Sequence, residues 1–457
     1  MSDSDERPAK RLCSSIINTS AEPPEQTSSF LKLNDDCLHA IFVYLNIESL
    51  CHTANVCKRF GPITEQVFHR CHRKTALTGF HKNAVKRRIA YKFDHLVTHF
   101  EESSYGIKYD VIAKYCSKKL EHLHLYDSKI SCNKIAPLAS RLKYLSISRC
   151  RREKKKGDWN AVFENCPNLE CFDFFSLDYE SCEFLARHFP KLVRLVLDCE
   201  NLLPDTLANI LRLNPQLKYL DLRDVTNDEY INAIAEQATD LEELCIFSFQ
   251  KRNIGLLQLS KLKKLKTLYI SSHNCEKSMS KLMNEFSKEK IPLENCSIHF
   301  ASISSDDINS LMNLKTVRVA ELGKILQMTD ANLLVLTSEL PLLSKLILKF
   351  IQNSSAKFTV NGLIKMVQLG NSLTWFCLYG DFILKVTEDD YKSLLKAVQK
   401  RIEADQMYSL HINIACNSKI DFNVPRRILY ANEKQLKFTV DRNSHESDET
   451  SYSDDDD

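Results

Sequence analysis

His69, Cys71 and His72, with Cys57 upstream, form a group of side chains able to hold a metal. Imidazole nitrogen and thiolate sulfur are the donors a tetrahedral zinc takes, but a zinc site usually draws on two separated ligand pairs. Here there is one cluster and no Cys-x-x-Cys, so the group reads as ordinary helix-surface residues rather than a structural zinc site. Phosphate and acyl chemistry lack their loops as well. The chain has only 9 glycines and no GxGxxG, GxxxxGK or GxSxG, patterns in which glycine permits a tight turn and close backbone approach to phosphate or oxyanion. Nucleotide-binding and hydrolase chemistry are therefore disfavoured, and no catalytic residue, metal or cofactor is assigned. Ser453, followed by four Asp, would suit an acidophilic kinase; the plainer reading of that segment is a solubilising tail.

The elements that could position any chemistry come next. A 457-residue chain with 44% hydrophobic residues can hold two or three domains or one long repeat array. No apolar run approaches the ~18 residues of a membrane span, so no membrane partner is expected. The opening "MSDSDERPAKRL" has no apolar h-region, so secretion is not expected either. The 17 cysteines are scattered singly, as buried free thiols of a reducing compartment would be, which points to the cytoplasm, the nucleus or both. "RPAKR" has the composition of a short nuclear address, though such pentapeptides recur by chance. The net charge of +3 is uneven: residues 441–457 carry eight acids against Arg442, a charge of −7, which leaves +10 elsewhere. Residues 1–28 and 441–457 are expected to be disordered tails.

From about residue 117 one pattern recurs: a Leu, an apolar residue three positions on, and another two beyond that. It starts at Leu120, Leu142, Leu169, Leu192, Leu217, Leu241, Leu265, Leu293, Leu314, Leu343 and Leu373, with a looser copy at Met407. One LxxLxL means nothing, but eleven in series, mostly 21–30 residues apart, define a repeat. In each unit the second and third apolar residues alternate as in a short strand. Between them lie segments with helical apolar spacing, such as "PDTLANILRLNP", "DEYINAIAEQATD" and "DANLLVLTSEL". No unit buries its own apolar face, so the units must stack. This resembles the leucine-rich-repeat family, which implies an α/β solenoid, a horseshoe of about 11–12 degenerate repeats over residues 117–440. The family's ladder residue, Asn or Cys, survives only as Cys150 in the second unit. "LKFTV" (Leu436 to Val440) alternates like a closing strand.

Ahead of the repeats stands "LKLNDDCLHAIFVYLNIESLCHTANVCKRF" (Leu31 to Phe60). Asn34 can cap a helix, with Asp35 and Asp36 against its positive end. Cys37, Leu38, Ile41, Phe42 and Leu45 then share a face. A second helix is predicted from Glu48 to about Phe60. Gly61-Pro62 reads as a stop, and "ITEQVFHR" supplies a third short helix. So small an all-α unit carries more apolar surface than it can bury alone.

This stretch resembles the F-box family, on Leu33, Asp36, Leu38, Ile41, Phe42, Tyr44, Leu45, Leu50, Val56, Cys57, Lys58 and Phe60. The family's Pro after the first Leu is Asn34 here. The resemblance implies a three-helix F-box over residues 29–72 that docks on the Skp adaptor through Leu33, Leu38, Ile41, Phe42, Leu45, Leu50, Val56, Cys57 and Phe60. The plain alternative, a helical cap on the solenoid, would abut the first repeat directly. Instead residues 73–116 intervene as a basic helical joining segment. Gln66 to Phe93 contains no acid but holds Arg70, Arg73, Lys74, Lys82, Lys86, Arg87, Arg88 and Lys92. It reads as a solvated face over a seam of Ala84, Val85, Ile89, Phe93 and Leu96; a surface for an acidic protein comes second, and nucleic acid last.

An F-box joined to leucine-rich repeats looks like the non-catalytic substrate receptor of an SCF-type cullin–RING ubiquitin ligase. By that resemblance the adaptor bridges to cullin, the RING subunit and a charged E2, the repeats hold a protein substrate, and the product is a ubiquitinated protein marked for degradation. Two other readings are an F-box interaction protein acting outside ubiquitin transfer, and a nucleic-acid-associated repeat protein using the basic segment. Substrate-facing candidates are the strand residues that alternate with the buried ones: His124, Tyr126, Tyr144, Asp173, Phe175, Arg194, Tyr219, Asp221, Arg223, Phe247, Tyr269, Arg318, Trp375 and Tyr379. Aromatic and Arg side chains dominate binding hot spots.

Overall fold

The computed structural model describes residues 29–73, 83–103, 119–153, 158–176, 182–198, 202–225, 227–249, 255–272 and 279–441, apart from 353, 355, 371, 407 and 416–419. Both expected tails lie outside the described residues, except Asp441. So do Lys74 and Lys82 of the joining segment. The chain divides into two compact units at His72/Arg73.

The described residues of the first unit form a 3-10 turn (Ser29–Lys32) and three α-helices: α1 (Asp35–Phe42), α2 (Ile47–Thr53) and α3 (Phe60–Cys71). Asn34 caps α1, its side chain accepting from the Cys37 N–H at 2.8 Å, and Asn46 caps α2 the same way through Ser49 at 2.8 Å. The predicted second helix therefore starts one residue early and ends at Thr53, well before Phe60. Gly61-Pro62 is not a stop either, because both lie in the first turn of α3. A helix's first N–H groups have no intrahelical acceptor, so proline costs nothing there.

In the second unit, helix α4 (Asn83–Phe93) buries Ile89, Ala90 and Phe93 and exposes Arg87, Arg88 and Tyr91. The side chains of Ala84, Val85 and Lys86 lie outside the described residues. Among the described residues, fourteen strands then follow one another along a parallel sheet, each paired with its neighbour. They are β1 (His99–Ser103), β2 (His122–Tyr126), β3 (Tyr144–Arg152), β4 (Cys171–Ser176), β5 (Arg194–Asp198), β6 (Tyr219–Arg223) and β7 (Glu243–Phe249). The rest are β8 (Thr267–Ser272), β9 (Asn295–Ile303), β10 (Val319–Ile325), β11 (Lys345–Phe350), β12 (Trp375–Gly380), β13 (Leu410–Ala415) and β14 (Leu436–Asp441). Helices return the chain between strands: α5 (Pro204–Leu213), α6 (Asp228–Gln237) and α7 (Asp330–Glu339) cover the three segments with helical spacing quoted above. This is a leucine-rich-repeat solenoid, with a long parallel sheet on one side and helices on the other; a short second sheet pairs Leu384–Thr387 with Ile420–Asn423.

Its core is the inward half of each strand. Leu123 and Leu125, Leu220 and Leu222, Leu268 and Ile270, Leu346 and Leu348 are all at most 1% exposed. Buried polar groups tie successive units together. Asn214, 1% exposed, accepts from Phe189 N at 2.8 Å and donates to Arg187 O at 2.9 Å and Ile210 O at 2.8 Å. Cys150, the one family-type ladder residue, turns its thiol to the Leu125 carbonyl at 3.4 Å.

Three expectations change. The sheet starts inside the joining segment, since β1 pairs His99 to His122 and Ser103 to Tyr126; the repeats therefore begin ahead of residue 117. The basic run "RCRREKKKGDW" (Arg149 to Trp159), whose composition suits an exposed insertion, is in part strand, because β3 runs to Arg152 and pairs there with Lys129–Ile130. In the ninth unit the pattern starts at Val317, not Leu314. Ala320 and Leu322 are its inward strand pair, aligned with Cys296 and Ile298.

Candidate functional site

Two surfaces stand out, one on each unit. On the three-helix unit, Leu38, Phe42, Leu50 and Phe60 are 0–3% exposed and form its own core. Phe42 and Phe60 meet edge to face at 5.2 Å, and Phe30 joins them at 6.4 and 5.9 Å. These four predicted contact residues are thus corrected to core residues: amphipathic spacing shows that a face is apolar, not which neighbour covers it. Of the others, Ile41 and Val56 are exposed, while Leu33, Leu45 and Cys57 are half-buried. Tyr44, which belongs to the motif but was not among the predicted contacts, is 89% exposed, and Val56 is 67% exposed. Phe30 and Leu31, ahead of the motif, are also exposed. These exposed large apolar side chains are the candidates for a docking surface on this unit.

The segment carrying Leu31 and Leu33 is held by Arg59, which no apolar pattern could show. Its guanidinium donates to the Leu31 carbonyl at 2.7 Å, to the Leu33 carbonyl, and to Asp35 Oδ1 at 2.8 Å. Asn34 sits at the centre of this clamp as the cap of α1, a role its family's proline does not fill through a side chain. Asn34→Ala is expected to cost about 1 kcal/mol without moving the exposed residues; the shift of the first denaturant transition of the purified chain checks it.

On the repeat unit the outward strand positions form three rows across the sheet. The first row includes His122, Tyr144, Cys171, Arg194, Tyr219 and Glu243, and reaches Lys345, Trp375 and His411. The middle row runs His124, Ser146, Asp173, Val196, Asp221, Cys245, Tyr269, Ser297 and Glu321. Tyr126, Phe175, Arg223, Phe247 and Tyr379 lie further along their strands. Thirteen of the fourteen predicted substrate-facing residues therefore share one face. Arg318 does not. It precedes β10, is exposed, and pairs with Glu294 at 3.6 Å along the sheet's entry edge. There it continues a charge ladder that includes Lys218–Glu242 at 3.0 Å and Lys266–Glu242 at 2.7 Å.

The face has a dense centre. The Tyr144 hydroxyl donates to Asp173 Oδ2 at 2.7 Å, and burial together with that bond raises the Tyr144 pKa to about 12. Arg194 lies over the Tyr219 ring at 3.7 Å, and Arg223 over the rings of Phe175 at 4.3 Å and Phe247 at 5.6 Å. Phe247 and Tyr269 pack at 4.5 Å. Burial raises Asp221 to about 6 and Cys245 to about 11. Further along, Glu321 is held by His299 at 3.2 Å and Lys349 at 3.4 Å, His299 first among the causes that lower its pKa. Trp375 is 39% exposed beside His411 at 4.1 Å and Lys345 at 5.5 Å. Glu321, His299, Lys345 and His411 were not predicted. For Glu321 the signal was present: setting the ninth unit at Val317 places it midway between the two inward residues.

Comparison with known proteins bears on the first unit. The F-box domain family model matches residues 30–65. None of the curated proteins matches the sequence significantly. Among solved structures, an internalin (inlF) from Listeria monocytogenes is 16% identical over 76% of this chain and 91% of its own, with a TM-score of 0.42. An internalin C2 (inlC2) from the same organism is 17% identical over 50% and 82%, with a TM-score of 0.30. A TLR13–ssRNA13 complex is 12% identical over 71% and 50%, with a TM-score of 0.41. The repeat architecture rests on the chain's own strand order and register. With an F-box at its N-terminal unit and a leucine-rich-repeat solenoid after it, this chain is an F-box/leucine-rich-repeat protein.

Proposed function

We propose that the chain is the substrate-recognition subunit of an SCF-type E3 ubiquitin ligase. The F-box docks on the Skp adaptor, which links it to cullin and the RING subunit, and the repeats hold a protein substrate for ubiquitination and degradation. The observation that carries this reading is the F-box itself, with its uncovered apolar residues Tyr44, Val56 and Ile41. In this role the chain contributes proximity, raising the effective concentration of a substrate lysine near the E2 thioester, and supplies no catalytic group. The free cysteines among the described residues suit a reducing compartment, so the proposed site of action is cytoplasm or nucleus.

The test is affinity purification of the full chain beside a Tyr44→Ala, Val56→Asp variant, read by mass spectrometry. The wild type is expected to bring down adaptor and cullin. The variant, folded because both positions are exposed, is expected to lose at least about tenfold of the adaptor, or about 1.4 kcal/mol. Wild-type chain without adaptor overturns the proposal. Adaptor without cullin replaces it with an F-box interaction protein acting outside ubiquitin transfer. Proteins retained by both forms are the substrate candidates.

A further inference from the structure

Two carboxylates at the centre of the repeat face lack bonds that buried carboxylates ordinarily have. Asp173 and Asp221 occupy one row of the sheet with Val196 between them, two strand spacings or about 10 Å apart. Asp221 is 7% exposed, and its Oδ1 is buried with no hydrogen-bond partner. Asp173 Oδ2 accepts from Tyr144, but its Oδ1 is also buried and accepts no hydrogen bond. Buried polar atoms nearly always find a partner, and leaving one open is costly. Two open acceptors in one row point to donors that come from outside the chain.

Neither neighbouring guanidinium supplies the missing donors. Arg194 Nε stands 3.7 Å from Asp173 Oδ1, too far for a hydrogen bond, and its guanidinium lies on Tyr219. Arg223 is beside Asp221 on the same strand face but lies over Phe175 and Phe247. Asp198 is in register with Arg223, and the row continues through Cys245 to Tyr269. Asp173 and Asp221 are flanked by as many guanidinium groups, both lying on rings, so what the pair lacks is hydrogen-bond donors. Arg223 is exposed and rests on rings, so it can turn aside for a ligand.

We propose that the Asp173–Asp221 pair receives a cationic side chain, a lysine or arginine in a segment of the substrate protein, seated over Val196. This rests on the reading of the repeats as a substrate receptor. An ammonium or guanidinium brings only donors, which both open oxygens lack, and its charge strengthens each bond to a carboxylate. The hydrocarbon stem packs against Phe175 and Phe247 while the charged head reaches the acids. An acidic segment would leave both acceptors open and bring a further negative charge beside them.

The test is selection of a randomised peptide library on the immobilised full-length chain. Binding is then measured by fluorescence anisotropy for wild type, Asp221→Asn and Asp173→Asn, with melting temperature as the folding control. Enriched peptides are expected to share a Lys or Arg. Replacing it by norleucine or citrulline, or replacing Asp221 by Asn, is expected to weaken binding by about tenfold to a hundredfold. No enrichment, enrichment without a basic residue, or affinity indifferent to Asp221→Asn overturns the proposal. Adaptor binding is scored on the same preparation. If adaptor binds and the peptide result fails, this site is rejected and the ligase reading stands; if the peptide result holds without adaptor, the reverse is true.

Discussion

Phe42→Ala is expected to unfold the three-helix unit while the solenoid stays folded. Phe42 is 2% exposed, packed against Phe60 and Phe30, and joined in the same core by Leu38 at 0%. Truncating a buried Phe costs about 3–5 kcal/mol, comparable to the whole stability of so small a domain. Charged replacements at Leu38 or Phe42 are worse still, because they bury an unpaired carboxylate. Hydrogen exchange on the full chain checks this: protection is lost within residues 35–71 and kept in the sheet. Protected α1–α3 amides in Phe42→Ala would refute it. Adaptor binding would also disappear in this variant, but through unfolding. Only exposed positions such as Tyr44 and Val56 can report docking itself.

Asp221→Asn is expected to stabilise the solenoid, by about 2 kcal/mol above pH 6. Burial is the main cause that holds the Asp221 carboxyl near 6, with Asp173 adding to it and Arg223 and Arg194 opposing. Unfolded, the same group titrates near its model value of 3.8. Between those two values the folded state keeps a proton that the unfolded state has released. Wild-type stability therefore falls as pH rises through that window, and the penalty is complete above it. Asn does not titrate, so the variant's advantage should be absent below pH about 4, grow to pH about 6, and then stay level. Denaturant unfolding at several pH values measures it. A destabilised variant would mean that the carboxylate supports the fold. A gain in stability joined to a loss of peptide binding is what a binding residue kept at a cost to the fold should show.

The parts of the fold legible in the sequence are those governed by local periodicity. Leu220/Leu222 and Leu268/Ile270 alternate as strands do, and the apolar residues of α5 and α6 recur at helical spacing, whereas those of α7 run consecutively from Leu333 to Leu336. Asn34 could be read as a cap because capping involves only its own first turn. Signals failed where a side chain was too small or too polar to mark its place. Ala320 is a core strand residue without bulk, so Val317 and Val319 were read as the strand's inward pair and Arg318 as facing the substrate. "HFEES" contains no LxxLxL, and β1 exists because β2 offers it an edge to pair with.

What the sequence determined by itself is the order of the parts: a small helical docking unit, then a stack of repeats with one alternating face. The tertiary structure decided which residues of those faces are free to act. It turned Leu38, Phe42, Leu50 and Phe60 inward and left Tyr44 and Val56 outside. It also brought Asp173 and Asp221, residues of different repeats, into one row with their acceptors open. The physical reason is range. Periodicity reports that a side chain prefers burial, but its covering neighbour, or the absence of a hydrogen-bond partner, depends on contacts that only the assembled chain contains.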